Sequence, residues 1–395
     1  DEPTNHLDAE MISWLETYLQ RFTGGILLVT HDRYFLERVA DRTAEVSFGK
    51  LYLYEGGYSA YLEGKARREE MDAASERKRR SILRRELQWV LQGPCARGTK
   101  SRERLERYEA LKAVQPPQTE ESLGKVQALT SRLGKKTVEL RDVGKCFDGR
   151  FVLRHFDFTL QRTDRIGIVG GNGAGKSTLL NLIAGRFPPD EGTVTVGDTV
   201  KLGYFSQHAQ ELDPLEMALD YVKARGDRIE TPEGTLTASK LMDQFLFSGP
   251  LQHRLIGKLS GGEKRRLFLL GLLAEAPNVL LLDEPTNDLD IPTMTQLENY
   301  LETFPGAIIA VSHDRYFLDR ICTRIFAVEP DGQVREYVGG YSDYLEKAQG
   351  RSEKQEKKKA EPQEKPRARK LKFSFKEQRE FETIEEDIAA LEQAL

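Results

Sequence analysis

The stretch GGNGAGKS, residues 170–177, constrains this chain more than any other. The apolar run Arg165–Val169 precedes it and the helix-like TLLNLIAG follows, so a buried strand, a Gly-rich turn and a helix start come in succession. That context is what the P-loop pattern G-x-x-x-x-G-K-[ST] requires. Glycines without Cβ atoms let backbone N–H groups converge on phosphate oxygens. The helix N-terminus adds partial positive charge. Lys176 is placed to reach the outer phosphates, and Ser177 to offer a hydroxyl to Mg²⁺.

Duplication is the second constraint. DEPTNHLD at 1–8 recurs as DEPTNDLD at 283–290, and THDRYFLERV at 30–39 as SHDRYFLDRI at 312–321, both offset by 282 residues. GGYSAYLE at 56–63 recurs as GGYSDYLE at 339–346, offset by 283. Three collinear matches predict a duplicated domain. The second copy reads as complete, from about Thr137 to Lys347. The first opens inside its DEPT motif, so the sequence is expected to be cut at its front.

The segments between the repeats differ in character. Residues 1–63 read as the last part of an α/β domain: a helix in AEMISWLETYLQRF, a buried strand in GGILLVTHD, a short helix in RYFLERVAD and a strand pair in AEVSFGKLYLYEGGY. Residues 64–136 read as a basic helical linker. From Lys65 to Lys112 there are fifteen Lys or Arg against eight Asp or Glu. RREEMDAASERKRRSILRRELQWVLQ contains neither Gly nor Pro and predicts a long helix. Gly93-Pro94 breaks it, and a second helical stretch returns before Pro116-Pro117. The result is a helical hairpin with a basic tip at Arg97, Lys100, Arg102 and Arg104, although a solvated charged linker has the same composition. Residues 348–370 are expected to be a charged disordered linker. Residues 371–395 are expected to start a coiled coil, from the heptad seam Phe381, Ile384, Ile388, Leu391 and Leu395. That seam stops at the last residue, so the C-terminus is expected to be cut as well. No run of eighteen apolar residues predicts a membrane helix. Cys95, Cys146 and Cys322 lack metal-type spacing and suit a reducing, cytoplasmic setting.

The chemistry concentrates in the second copy. VLLLDEP is a buried-strand run ending in two carboxylates, 107 residues after Lys176. Asp283 is placed to hold Mg²⁺ through water, and Glu284 to orient or deprotonate an attacking water. In LSGGEKRR, Ser260 and Glu263 form a capping-box pattern, and Gly261 and Gly262 leave the helix start bare for phosphate. His313 follows an apolar strand and can hydrogen-bond a terminal phosphate; Gln207 can sense the metal or the water.

That order (P-loop, Gln, LSGGE, DEPT, D-loop, His) resembles the nucleotide-binding domain of ATP-binding cassette (ABC) proteins. The resemblance implies an α/β fold of tandem P-loop cassettes, the first partial, acting as an ATP hydrolase with ATP and Mg²⁺. It implies that Phe147 stacks on adenine, and that Gly170, Asn172, Gly173, Ala174, Gly175, Lys176, Ser177 and Thr178 bind phosphates. Ser177, Gln207 and Asp283 serve Mg²⁺. Ser260, Gly261 and Gly262 form the signature that caps ATP held by the opposite cassette. Asp290 lies in the D-loop, Glu284 is the catalytic carboxylate and His313 the switch histidine. The first copy supplies Asp1, Glu2, Asp8 and His31 in matching roles.

Two cassettes, no membrane helices and a basic linker resemble the ABC-F family, soluble cassettes that act on ribosomes. WVLQGPCARGTKSRERLERYEAL and KLKFSFKEQREFETIEEDIAALE resemble the arm and the C-terminal coiled coil of its Uup-type members. The partners so implied are the ribosome, with its rRNA and tRNA, or alternatively branched DNA through the basic, Phe373- and Phe375-bearing C-terminal region. The cassettes of such proteins pair within one chain. Here Lys176 lacks a facing signature, so slow hydrolysis is expected unless two copies of the chain pair as a homodimer.

Overall fold

The computed structural model describes residues 1–5, 7–91, 102–113, 134, 136–206, 212–231, 234–287 and 289–348. The chain divides into two units, Asp1–Tyr344 and Leu345–Leu395; the elements below belong to the first. It opens with α1 (Ala9–Gln20), α2 (Arg33–Val39) and the antiparallel pair β1 (Arg42–Ser47) and β2 (Lys50–Glu55), followed by α3 (Tyr58–Leu91) and α4 (Arg102–Ala113). Then come β3 (Val138–Phe147), β4 (Arg150–Thr159), β5 (Arg165–Val169), α5 (Lys176–Ile183), β6 (Glu191–Val196), β7 (Leu202–Phe205) and α6 (Ala218–Arg225). β8 (Arg228–Thr231), β9 (Gly234–Thr237), α7 (Ala238–Gln244), α8 (Gly249–Gln252) and α9 (Gly261–Ala274) precede β10 (Val279–Asp283). α10 (Ile291–Thr303), β11 (Ala307–Val311), α11 (Arg315–Ile321), β12 (Arg324–Val328) and β13 (Val334–Val338) complete it.

The organising layer is a six-stranded sheet in the order β13-β12-β5-β11-β10-β7, parallel except for β13. VLLLD and AIIAV of β10 and β11 are buried at every position, as parallel strands covered on both faces must be. A three-stranded antiparallel sheet, β4-β3-β6, contributes Val138, Leu140, Val143, Leu153 and Phe156 to the same core, where Leu179, Leu180 and Leu182 of α5 also lie. Adjacency of β5, β11 and β10 decides the function. Their carboxyl ends carry the P-loop, His313 and the Asp283–Glu284 pair, so residues more than a hundred positions apart open into one crevice.

The first repeat keeps its caps and loses its strand. Asp32 caps α2 through Phe35 N, as Asp314 caps α11 through Phe317 N. GGILLVTHD, expected as a buried strand, has no strand in it. Leu27 is 98% exposed, whereas Ile309, its equivalent in the second repeat, is 1% exposed. The cause is the absence of neighbours. β11 is held between β10 and β5, while among the described residues 24–32 meet the DEPT segment through one backbone bond, Glu2 N to Val29 O at 2.7 Å. β propensity without pairing partners does not make a strand.

α3 starts at Tyr58, ahead of the expected 63/64 boundary, so the first repeat runs into the linker as one helix. α3 and α4 form a hairpin in which Arg79 Nη1 donates to Leu111 O at 2.8 Å. Arg97 and Lys100 lie outside the described residues, as does the expected C-terminal coiled coil; Arg102 and Arg104 lie on α4, their side chains outside the description. No described helix is long and apolar enough to cross a membrane.

The repeat yields a paired prediction. Ile309→Ala is expected to cost about 2–5 kcal/mol in urea unfolding, and Leu27→Ala less than about 0.5 kcal/mol, because only the former opens a cavity.

Candidate functional site

A cavity of about 510 Å³ lies at the carboxyl ends of β5, β10 and β11, lined by Phe147, Val152, Asn172, Gly173, Gly175, Lys176, Ser177, Thr178, Asp283, Glu284, Asn287, Val311 and His313. α5 begins at Lys176 with Gly175 as N-cap at φ +109° and no side-chain cap, so its first N–H groups remain available to an anion. A Cβ on Gly175 would lie 2.2 Å from Val152 Cγ1. Only glycine therefore lets this turn sit against β4. A Cβ on Gly173 would meet nothing within 4 Å, so the loop is open on its outer side.

The titratable groups are packed closely. Lys176 Nζ donates to Gly170 O (2.8 Å) and Gly171 O (3.1 Å), its own loop's carbonyls. Burial pushes its pKa down. Ser177 Oγ donates to Asp283 Oδ1 at 3.2 Å, bringing the hydroxyl and carboxylate expected at Mg²⁺ side by side. Tyr204 lies close to the same carboxyl, and burial pushes its hydroxyl up to about 12. Glu284, at φ +49°, accepts His313 N at 3.3 Å, and its other oxygen lies 3.3 Å from His313 Nε2. Burial pushes the Glu284 carboxyl up to about 8 and the His313 imidazole down to about 4. Burial thus favours the uncharged form of both groups.

These residues fit a triphosphate with its divalent cation. The open N-terminus of α5 and Lys176 match phosphate, and the Ser177–Asp283 pair matches a hard cation that keeps part of its water. Phe147 is 46% exposed at the rim, edge-on to Phe187 and under Lys145 Nζ, with a face available to a base.

The structure does not bring every expected residue here. Ser260, Gly261 and Gly262 sit at the start of α9, outside this cavity's lining. Their capping box is formed, Ser260 N to Glu263 Oε2 at 2.7 Å and Glu263 N to Ser260 Oγ at 3.3 Å. Asp290 caps α10 through Thr293 N at 3.0 Å and pairs with Arg266 at 3.5 Å, also outside the lining. Gln207 lies outside the described residues.

The first repeat reproduces the glutamate–histidine geometry. Glu2, at φ +43°, accepts His31 N at 3.4 Å, and its Oε1 lies 3.7 Å from His31 Nε2. Asp1, Glu2 and His31 line a second cavity, of about 370 Å³, together with Asn287 and His313 of the second repeat. Asp8 reaches the P-loop, accepting Asn172 N at 3.4 Å. Sequence reading did not single out Tyr204, Asn287 or Arg265. Arg265 Nη2 donates to Glu284 O at 2.6 Å. It lies two residues past the capping-box Glu263, and nothing local marks it as facing β10.

Fold and site define a P-loop nucleotide-binding cassette. Two family models match, both described as ABC transporter, over residues 153–287 and 44–126. A Bacillus subtilis relative, described as an uncharacterized ABC transporter ATP-binding protein, YfmR, is 46% identical over 100% of this chain and 63% of its own length. The energy-dependent translational throttle protein EttA of Mycobacterium tuberculosis is 44% identical over 84% of this chain and 60% of its own length. EttA of Escherichia coli K12 is 40% identical over 88% and 62%. A solved dimeric bacterial ABC transporter cassette aligns with TM-score 0.43 at 24% identity, over 51% of this chain and 98% of its own. The chain belongs to the ATP-binding cassette family, in its ABC-F branch. It spans about three-fifths of the length of these curated relatives.

Lys176→Ala is expected to weaken ATP binding by roughly 10- to 100-fold, the loss of about 1.5–3 kcal/mol for a charge-assisted contact, as measured by equilibrium titration. Glu284 has its pKa raised on folding, so its contribution to stability is full below the unfolded value near 4.5 and is lost as pH rises through about 8. Glu284→Gln should therefore raise the Tm of the chelator-treated, nucleotide-free protein by roughly 5 °C at pH 8 and leave it unchanged near pH 4.5.

Proposed function

We propose that this chain binds ATP at the Lys176 cavity and hydrolyses it when that cavity meets the LSGGE signature of another cassette. The observation that carries the reading is the convergence of P-loop, Asp283, Glu284 and His313 on one crevice, with a second Glu–His pair in the first repeat. Mg²⁺ would be held by Ser177 and Asp283 and would supply charge neutralisation for the phosphates. Lys176 and the α5 N–H groups bind the triphosphate, and Phe147 orients the base. Glu284, once ionised, takes a proton from the attacking water, and His313 holds the Glu284 carboxyl in place. LSGGE occurs once in the sequence and lies away from its own P-loop. Turnover per chain is therefore expected to rise with protein concentration.

We also propose the domain plan behind this. Residues 1–63 belong to a first cassette, 64–136 form an arm, 137–347 form the second cassette, 348–370 connect, and 371–395 begin a coiled coil. The arm is the element that acts on the ribosome, in the cytoplasm. Relatives named as translational throttle proteins support translation as the setting, and the excess of Lys and Arg between Lys65 and Lys112 suits RNA phosphate. The test uses Glu284→Gln with ATP. Co-sedimentation with ribosomes, lost when salt is raised, is the expected result. A shift of branched DNA without ribosome binding would overturn the translational reading in favour of DNA.

A further inference from the structure

The two repeats exchange charges across their junction in a reciprocal way. Arg33 of the first repeat is 2% exposed and forks onto Glu298 of α10, which is 0% exposed. Arg315 occupies the equivalent position in the second repeat. It lies 3.5 Å from Glu16 of α1, the equivalent of Glu298, and donates to Ser13 Oγ at 2.8 Å. Each arginine also lies over the tyrosine that follows its counterpart, Arg33 over Tyr316 at 4.4 Å and Arg315 over Tyr34 at 4.8 Å. Arg38 and Arg320, themselves equivalent, complete the two sites by pairing with Glu16 at 3.1 Å and Glu298 at 2.7 Å.

Each arginine has a further contact that the interface alone does not require. Arg33 lies over the ring of Tyr316, which packs edge-on against Tyr58, the first residue of α3. Arg315 is likewise near Tyr341, the buried residue that opens the helix leaving the second repeat. The root of α3 is pinned again a few residues on, by Ser59 N to Glu37 at 2.8 Å and by Arg68 to Glu45 at 2.7 Å. Arg33 and Arg315 lie two residues after His31 and His313. A buried ion pair adds little net stability over apolar residues of the same volume, so two at equivalent positions act by fixing position. A guanidinium fork fixes geometry where an ammonium would not.

We propose that Arg33 and Arg315 are reciprocal positioning residues, each locking the root of the helix that leaves its own repeat onto a buried glutamate of the other repeat. Nucleotide-dependent movement between repeats is thereby passed to α3 at its first turn, not along the arm. The nucleotide part rests on the function proposed above. The lock itself does not.

The test places spin labels at Ser75→Cys on α3 and Asp220→Cys on α6, both exposed positions, with Cys95 and Cys146 replaced by Ser. The otherwise unaltered chain is expected to give one narrow distance that moves on adding ATP and Mg²⁺. Arg33→Met and Glu298→Gln are each expected to broaden the distribution without nucleotide and to abolish the ATP-dependent movement, while ATP affinity stays within about two-fold. Arg33→Lys should restore part of the movement. A narrow distance and unchanged movement in Arg33→Met, or in Glu298→Gln should the former not fold, would overturn the proposal. If ATP moves nothing in the unaltered chain, the nucleotide reading fails, and the width without nucleotide still decides the lock.

Discussion

Burial of charge-bearing groups at the carboxyl ends of three adjacent parallel strands is the constraint on which the rest depends. β5, β11 and β10 must pair in that order for Lys176, His313, Asp283 and Glu284 to meet. Their strands are apolar on both faces, so the sheet forms for reasons unrelated to chemistry. The polar residues at the strand ends then inherit a poorly solvated site. Desolvation raises Glu284 and lowers Lys176 and His313, each toward its uncharged form. A polyanion with a divalent cation replaces what burial removed: phosphate for Lys176, a metal for Asp283, an ordered water for Glu284. The site favours a ligand that carries both signs of charge.

A second constraint is the two-fold relation within the chain. Glu2–His31 and Glu284–His313 share backbone geometry down to the left-handed φ of the glutamate, +43° and +49°. Asp8 reaches Asn172 N, so the first repeat contributes an acidic group at the second repeat's P-loop. The reciprocal Arg–Glu contacts hold this arrangement in register. Each joins a loop bearing a histidine to the helix that follows the opposite DEPT motif.

Much of this was legible in the sequence, and what was missed has physical causes. The P-loop, the capping box at Ser260 and Glu263, and the Asp–Glu strand end are local signals, and each sits on the element its pattern predicts. The repeat offsets fixed which residues correspond. GGILLVTHD forms no strand because strand propensity is fulfilled only by neighbours, and among the described residues 24–32 meet the DEPT segment through one backbone bond, Glu2 N to Val29 O. α3 starts earlier than GGY, which reads as turn chemistry, suggests; its first turn is held by Tyr58 against Tyr316 and by Ser59 N donating to Glu37. Arg33, Glu298 and Tyr204 were invisible for the same reason, since each acquires its role from a residue distant in sequence. Of the residues that carry the Uup-type resemblance, 102–111 lie on α4, while 92–101 and the whole C-terminal stretch lie outside those described.

The most direct test of the central claim is a crystal structure of this chain with a non-hydrolysable ATP analogue and Mg²⁺. The account predicts triphosphate density at the N-terminus of α5 against Lys176, the cation beside Ser177 and Asp283, and the base on Phe147. Density in the cavity of Glu2 and His31 instead, or an unoccupied Lys176 cavity at saturating nucleotide, would contradict it.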